Sequence, residues 1–283
     1  MKTKQNIKTI LTPLRYPGGK SRAIKHLDQY FVKDFKSYHE PFIGGGSVFL
    51  YLKQFNPDAF YWINDKYYNL YCFWKELQSH GKDMVDFILS LRGRYNTPDK
   101  CKDLFIDIKD KIESSNDFEK ACYFFILNKC SYSGLTETGT FSPLASESNF
   151  SISCIKYLLE VEKMLEGVKI TNLDYSELLK GDGDFVFLDP PYDILKKNKN
   201  NALYGKNGEH HKLFDHDKFY QDVDKCESNW MITYNYSDTL LNRWKKYNLL
   251  EWKLKYGMQW DTDNQGKKTA KEKSELLITN YKK

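Results

Sequence analysis

Asp184-Phe185-Val186-Phe187-Leu188-Asp189-Pro190-Pro191-Tyr192 is the stretch whose reading decides the fold. Its four-residue apolar run is too short for a helix and does not alternate, which is the pattern of a strand buried on both faces of a parallel sheet. Two prolines stop the run at once, because neither can donate to a ladder and each disfavours helix in the residue before it. The result is a rigid, extended turn at the carboxyl end of a central strand, where open α/β sheets bind their ligands. The turn offers a carboxylate (Asp189), a backbone carbonyl (Pro190) and an aromatic face (Tyr192), with Pro191 between them.

Those groups suit one task. An exocyclic amine on a base is a poor nucleophile, since its lone pair is delocalised into the ring. A carboxylate and a carbonyl can accept both amine hydrogens and localise that pair on nitrogen, while an aromatic ring stacks on the base. An ordinary strand end with a Pro-Pro stop would look the same in isolation, so the rest of the chain has to decide.

Working outward, the chain carries two further strand–loop–helix units before this strand. In His39-Glu40-Pro41-Phe42-Ile43-Gly44-Gly45-Gly46-Ser47-Val48-Phe49-Leu50 a short strand runs through three glycines into an amphipathic helix that Ser47 can cap. The loop lacks both the G-x-G-x-x-G spacing and the G-K-[ST] of a phosphate loop, which argues against NAD and ATP and leaves room for an adenosine. A second strand, Ala59–Ile63, ends in Asn64-Asp65. An acid about 20 residues past a glycine loop is placed to accept from ribose hydroxyls, a role compatible with capping the next helix. Upstream, Leu14-Arg15-Tyr16-Pro17-Gly18-Gly19-Lys20 makes a tight turn before a helix expected from about Ser21, with Ile24, Leu27, Phe31 and Phe35 on one face. Lys20 at that mouth can clasp a carboxylate or phosphate.

From residue 81 to 169 the pattern changes to helices, near Met84–Leu91, Cys101–Ile112, Phe118–Lys129 and Ile152–Met164, with a polar loop Cys130–Asn149. This divides the chain into a discontinuous α/β domain (1–80 and 170–283) and an inserted helical domain (81–169). Acids and bases nearly balance in the insertion, so it would read groups in a groove rather than hold DNA by bulk charge. After it come Val168–Thr171, a short helix capped by Asp174, the central strand, a lysine-rich loop Ile194–His211, and strand Trp230–Tyr234. The last strands, Leu249–Tyr256 and Glu275–Tyr281, read as an antiparallel hairpin at a sheet edge joined by a loop Gly257–Lys273.

Composition adds bounds. The 283 residues carry a net charge of +5, with basic runs in the amino-terminal segment and after the Asp189 turn, consistent with a polyanionic partner. Aromatic residues make up 16%, enough to supply rings for base stacking beyond the core. The six cysteines form no C-x-x-C pair and His210-His211 is not a usual ligand spacing, so no metal site is expected. Scattered cysteines fit a reducing cytosol, and no signal peptide or membrane-spanning run is seen, so a cytoplasmic protein is expected.

In this order and at these intervals, the Arg15–Lys20, Glu40–Phe49, Asn64-Asp65 and Asp189–Tyr192 motifs resemble the Dam-type DNA adenine-N6 methyltransferases (alpha class, D12). Asn128–Leu135 resembles the family's N-x-x-x-Y-N-G-L, and the likeness spans nearly the whole chain. It implies an α/β, Rossmann-like sheet that uses S-adenosylmethionine, ends in an antiparallel hairpin, and carries the helical insertion as a target-recognition domain. The implied partner is double-stranded DNA, with a separately acting restriction endonuclease as a further expectation, and the implied reaction is methylation of a flipped adenine at N6.

Residue by residue, the resemblance puts Tyr16 and Lys20 at the methionyl end of the cofactor, Phe42 and Gly44, Gly45 and Gly46 around its pocket, and Asp65 at its ribose. Asp189 borders the cofactor and, with the Pro190 carbonyl, holds the target amine, while Tyr192 stacks on the base. Arg15 would read a guanine edge; Tyr132 and Ser133 would enter the stack beside Leu135, Thr136 and Glu137. Ser133 departs from the family's usual Asn, and Thr136-Glu137 stand where Dam has Cys-Arg. A carboxylate accepts where an arginine donates, so these departures suggest a target other than GATC. The residues leave open another conjugated amine (cytosine N4, an RNA base, a protein glutamine) and a non-catalytic DNA-binding protein with a vestigial pocket.

Overall fold

The computed structural model describes residues 11–181, 183–192, 214–262 and 268–282, with backbone only over 254–262 and 268–273. The basic arm before residue 11 and the Ile194–His211 loop lie outside the described residues.

The order along the chain is α1 (Ile24–Leu27), β1 (Ser37–Glu40), α2 (Ser47–Phe55), β2 (Phe60–Asn64), α3 (Tyr68–Arg94), α4 (Pro98–Lys111), α5 (Asp117–Cys130), α6 (Pro143–Ser148), α7 (Ile152–Lys156), α8 (Leu158–Met164), β3 (Lys169–Thr171), α9 (Tyr175–Leu179), β4 (Phe185–Leu188), α10 (His216–Asp224), β5 (Asn229–Asn235), α11 (Asp238–Trp244), β6 (Asn248–Thr262) and β7 (Lys268–Thr279). The seven strands form one sheet in the order β3-β2-β1-β4-β5-β7-β6. The first five are parallel to their neighbours, and β7 inserts antiparallel between β5 and β6. This is the mixed α/β sheet with a terminal antiparallel pair that the resemblance implied.

Strand β4 is central and fully buried, as its unbroken apolar run requires. Its side chains alternate between two cores: Phe185 and Phe187 enter one, Val186 and Leu188 the other. β5 and β7 repeat the alternation, with Met231 and Leu277 on the first side and Trp230, Ile232, Leu276 and Ile278 on the second. The first core is continuous with the helical block, since Phe73, Met84, Ile88, Phe124 and Phe125 belong to it.

Several local expectations are corrected. The helix expected from Ser21 is α-helical only over Ile24–Leu27, between two 3-10 turns. Phe31 is extended (φ −62°, ψ 139°), yet Phe31 and Phe35 are both buried, so their spacing is met by packing rather than by a helical face. Ser47 does not cap α2; the cap position is Gly46 in the left-handed region, and Ser47 is the first helical residue. The helix after Asp65 and the one expected near Met84 are a single element, α3, kinked at His80 (φ −140°, ψ 31°). A boundary at residues 80/81 thus runs through a helix. The Cys130–Asn149 loop contains two 3-10 turns and α6. The Gly257–Lys273 loop is largely strand, because β6 and β7 extend into it.

Candidate active site

The parallel strands bring their carboxyl ends to one edge, and the motif loops meet there. Asn64 ties three of them together. Its amide donates to the Pro41 and Leu173 carbonyls (both 3.1 Å), and its oxygen accepts from Thr171 Oγ1 (2.8 Å) and the Leu173 amide (2.7 Å). All four of its hydrogen-bonding positions are used, which fits its 1% exposure. Nearby Glu40, at the end of β1, is buried and accepts from the Tyr38 hydroxyl (2.6 Å). Burial pushes its carboxyl well above the usual range, against the pull of that bond and with help from Asp189 and Asp65.

The glycine loop is shaped by what lies against it. Gly44 and Gly46 have positive φ (48° and 70°). A Cβ on Gly44 would fall 2.9 Å from the Tyr16 ring, and one on Gly46 2.7 Å from the Trp74 ring. Trp74 Nε1 donates to the Gly44 carbonyl (3.1 Å). Asp65 closes the loop from the next strand: Oδ2 accepts from the Gly44 amide and Oδ1 from the Tyr67 amide, each at 3.0 Å. Burial outweighs these bonds and pushes the Asp65 carboxyl up to about 6. With the Lys66 amide as a third backbone donor, one of the carboxylate's four acceptor positions is left for a hydroxyl. Phe42 stacks on Tyr175 (5.5 Å between centroids) with Phe214 and Phe219 at its edge, an apolar wall beside the loop. A loop without side chains, an acceptor pair and an aromatic wall fit an adenosine.

Asp189 stands directly after β4. Lys20 Nζ lies 2.7 Å from both carboxylate oxygens and donates to the Gly18 carbonyl (2.9 Å). Thr233 Oγ1, fully buried on β5, donates to Asp189 Oδ1 (2.7 Å). Oδ1 therefore carries two donors and Oδ2 one. The Lys20 ammonium is also 5.1 Å from the Tyr192 ring centroid. The Tyr192 hydroxyl donates to Glu275 Oε1 (3.2 Å). Thr233 and Glu275 come from strands far along the chain, and no motif pointed to them.

The residues expected to face DNA form a second group. Asn128 bridges Arg15 to the 131–135 turn: its oxygen accepts from the Arg15 amide (3.0 Å), and its amide donates to the carbonyls of Arg15 (2.9 Å) and Gly134 (3.2 Å). Arg15 Nη1 donates to the Ser131 carbonyl (3.1 Å). Tyr132 is 59% exposed, whereas Thr136 is buried and Ser133 and Leu135 are half-buried. Ser133 and Thr136 have positive φ (56° and 51°), a region side chains other than Asn and Asp rarely enter. Glu137 does not present a bare carboxylate. One oxygen accepts from the Tyr67 hydroxyl and the other from Asn69 Nδ2 (2.8 Å), so the carboxylate expected to read a base is already engaged inward.

Residues 16–258 match the model of the D12 class N6 adenine-specific DNA methyltransferases. The chain belongs to this family. It is 28% identical over 247 residues to the Type II methyltransferase M.MjaIII of Methanocaldococcus jannaschii, covering 79% of this chain and 84% of that one. It is 23% identical over 281 residues to M.CviBI of Paramecium bursaria Chlorella virus NC1A (95% and 98%), and 26% identical over 204 residues to the DNA adenine methylase of Escherichia coli K12 (69% of each). This D12 methyltransferase is thus an enzyme acting on adenine N6 in DNA, and the other amines and the non-catalytic reading are set aside. Its family uses S-adenosylmethionine. Among the described residues no helix is long and apolar enough to cross a membrane.

Proposed function

We propose that the enzyme methylates N6 of an adenine turned out of duplex DNA into the space bounded by Asp189, Pro190 and Tyr192. S-adenosylmethionine, when bound, supplies a methyl carbon that is already electrophilic. The chain supplies position and orientation, which account for much of such a barrier. The observation that carries this reading is the unequal loading of Asp189. Lys20 reaches both oxygens and Thr233 adds a second donor to Oδ1, so Oδ2, with one donor, is the better placed to accept one amine hydrogen, with the Pro190 carbonyl for the other. The amine becomes acidic only as it gains the methyl group, so Asp189 need not be a strong base beforehand. Pro191 stiffens the turn and Tyr192 stacks on the base.

Gly44, Gly45, Gly46 and Phe42 would wall the adenosine, Asp65 would accept from the ribose, and Tyr16, Lys20 and Asp189 would border the methionyl end. Lys20 would then exchange its bond to Gly18 for the cofactor's carboxylate while keeping Asp189. Segment 81–169 would act as the target-recognition domain, with Arg15 reading a guanine edge and Tyr132, Ser133, Leu135 and Thr136 flanking the extruded base. With Glu137 engaged inward, its part in a target other than GATC would be to shape that turn. A cytoplasmic enzyme paired with a separately acting endonuclease is the biological setting we favour. Tritium transfer from labelled cofactor to unmethylated duplex DNA, followed by single-molecule sequencing of DNA from a methylation-free host expressing the chain, tests the reading. Label on adenine N6 at one sequence supports it; label elsewhere overturns it.

A further inference from the structure

Glu275 lies on β7, directly across from Asn235 of β5, and is 1% exposed. Its Oε1 accepts from Tyr192, while its Oε2 is buried with no hydrogen-bond partner among the described residues. The facing Asn235 Oδ1 is in the same state. Buried carboxyl oxygens are nearly always hydrogen-bonded, and a bare one is destabilising. Burial pushes the Glu275 carboxyl up, Lys20 opposing and Asp189 reinforcing the shift, which places it within the field of the reacting groups.

We propose that Glu275 is a positioning residue for methyl transfer: by accepting from the Tyr192 hydroxyl it fixes the plane of the ring on which the target base stacks. The inference rests on the assignment of the Asp189–Tyr192 turn made above. A tyrosine is free to turn about two side-chain bonds. Here the ring is held at one end by the chain after Pro190-Pro191 and at the other by Glu275, with Lys20 5.1 Å from its centroid and the Tyr234 ring 6.4 Å away. Thr233 fixes Asp189 from the neighbouring strand in the same way. The antiparallel pair β5–β7 thereby sets both the amine acceptor and the stacking plane, and a base lying flat on Tyr192 is delivered in register with Asp189.

The test is single-turnover methyl transfer to unmethylated duplex DNA by the full chain and by E275Q, E275A, Y192F and the double variant E275A/Y192F, with cofactor affinity measured alongside. E275A and Y192F should each slow transfer about 3- to 10-fold, the scale of one net hydrogen bond, with cofactor affinity unchanged. The double variant should be no slower than either single one, since both remove the same bond. E275Q keeps an accepting oxygen and should stay within about twofold of the parent, a rescue that loss of packing would not produce. Transfer at the parental rate by E275A or Y192F, or a further equal loss in the double variant, overturns the proposal. If E275A does not fold, Y192F and E275Q still decide it by the same criteria. Failure of the unaltered chain to label adenine would instead overturn the assignment of the turn, before any variant is compared.

Discussion

Lys20 and Asp189, 169 positions apart in the chain, meet with the ammonium 2.7 Å from both carboxylate oxygens. Both belong to motifs that the sequence placed in one site, but with different tasks, one for a ligand's carboxylate and one for a base. Their contact makes the tight turn at Pro17-Gly18-Gly19 and the turn after β4 one unit. Lys20 is nearly inaccessible (3% side-chain exposure) whereas Asp189 keeps 21%, so the open side of the pair is the carboxylate's.

Asp189→Ala should abolish transfer and leave cofactor affinity within about an order of magnitude, because an acceptor needed in the transition state is removed while the pocket remains. Lys20→Ala leaves Thr233 as the remaining side-chain donor to Asp189 among the described residues. It should lower unfolding stability by about 1–3 kcal/mol, less than breaking a fully buried pair because Asp189 is partly hydrated. Urea titrations and calorimetric cofactor binding check both variants; near-parental turnover by Asp189→Ala would sink the assignment.

The Asp65 carboxyl, raised to about 6 from 3.8, gives a pH dependence with a definite sign. Between those values the folded chain keeps a proton that the unfolded chain has released. Asp65's share of stability is therefore fully present below about pH 4, falls as pH rises through 6, and is flat above. Cofactor binding should run the other way, since a ribose hydroxyl needs the ionised acceptor: affinity should drop as pH is lowered through about 6. Asp65→Ala should weaken binding by roughly 1–3 kcal/mol at pH 8 and flatten the pH profile. Calorimetry from pH 5 to 8 that finds the same slope in parent and variant would refute the assignment.

How much of this was legible in the sequence follows from where each signal is stored. The β4 run and its Pro-Pro stop are local, so the strand, its burial and the Asp189 turn could be read directly, as could Gly44–Gly46 and Asn64-Asp65. Thr233 and Glu275 are 44 and 83 positions from the residues they hold. Thr233 interrupts the apolar run Trp230–Tyr234, which was an available signal, whereas Glu275 follows the polar Lys271–Ser274 and reads as the solvated start of a strand. The extension of β6 and β7 through Gly257–Lys273 was hidden by polar composition, because an edge hairpin needs no apolar alternation to pair. Glu137 misled for a related reason: chain position marked it as a loop tip, while Tyr67 and Asn69, about 70 residues earlier, had already engaged both oxygens.

Glu137 therefore predicts a stability effect first. Glu137→Ala removes the carboxylate that accepts from the Tyr67 hydroxyl and the buried Asn69 amide and should destabilise the chain by about 1–3 kcal/mol, the scale of a lost hydrogen bond to a charged group. Glu137→Gln keeps one acceptor and should lose less. Any change in target discrimination should scale with disorder of the 131–139 turn, where Thr136 already holds a left-handed conformation (φ 51°). Methylome sequencing beside thermal melts separates the two effects. Altered discrimination with unchanged melting would restore Glu137 as a direct reader.

Gly134 gives the sharpest geometric prediction. Its φ is 76°, and a Cβ there would lie 1.9 Å from the Arg15 carbonyl oxygen, a backbone atom that cannot swing aside. Gly134→Ala must push the Arg15 segment away and break the Asn128 bridge, which holds Arg15 at 3.0 and 2.9 Å and Gly134 at 3.2 Å. The left-handed backbone alone costs a side chain about 1–2 kcal/mol, and the displaced bridge adds to it. Gly93 is the control: it is exposed in the last turns of α3, with nothing within 4 Å of a Cβ. Gly93→Ala should stabilise by about 0.5–1 kcal/mol, the helix preference for alanine over glycine. If Arg15 reads a guanine edge, Gly134→Ala should also weaken discrimination at one base pair while cofactor affinity holds, and Gly93→Ala should leave both unchanged. Melting curves that moved in the same direction for the two alanines would contradict the described geometry of the Arg15–Gly134 contact.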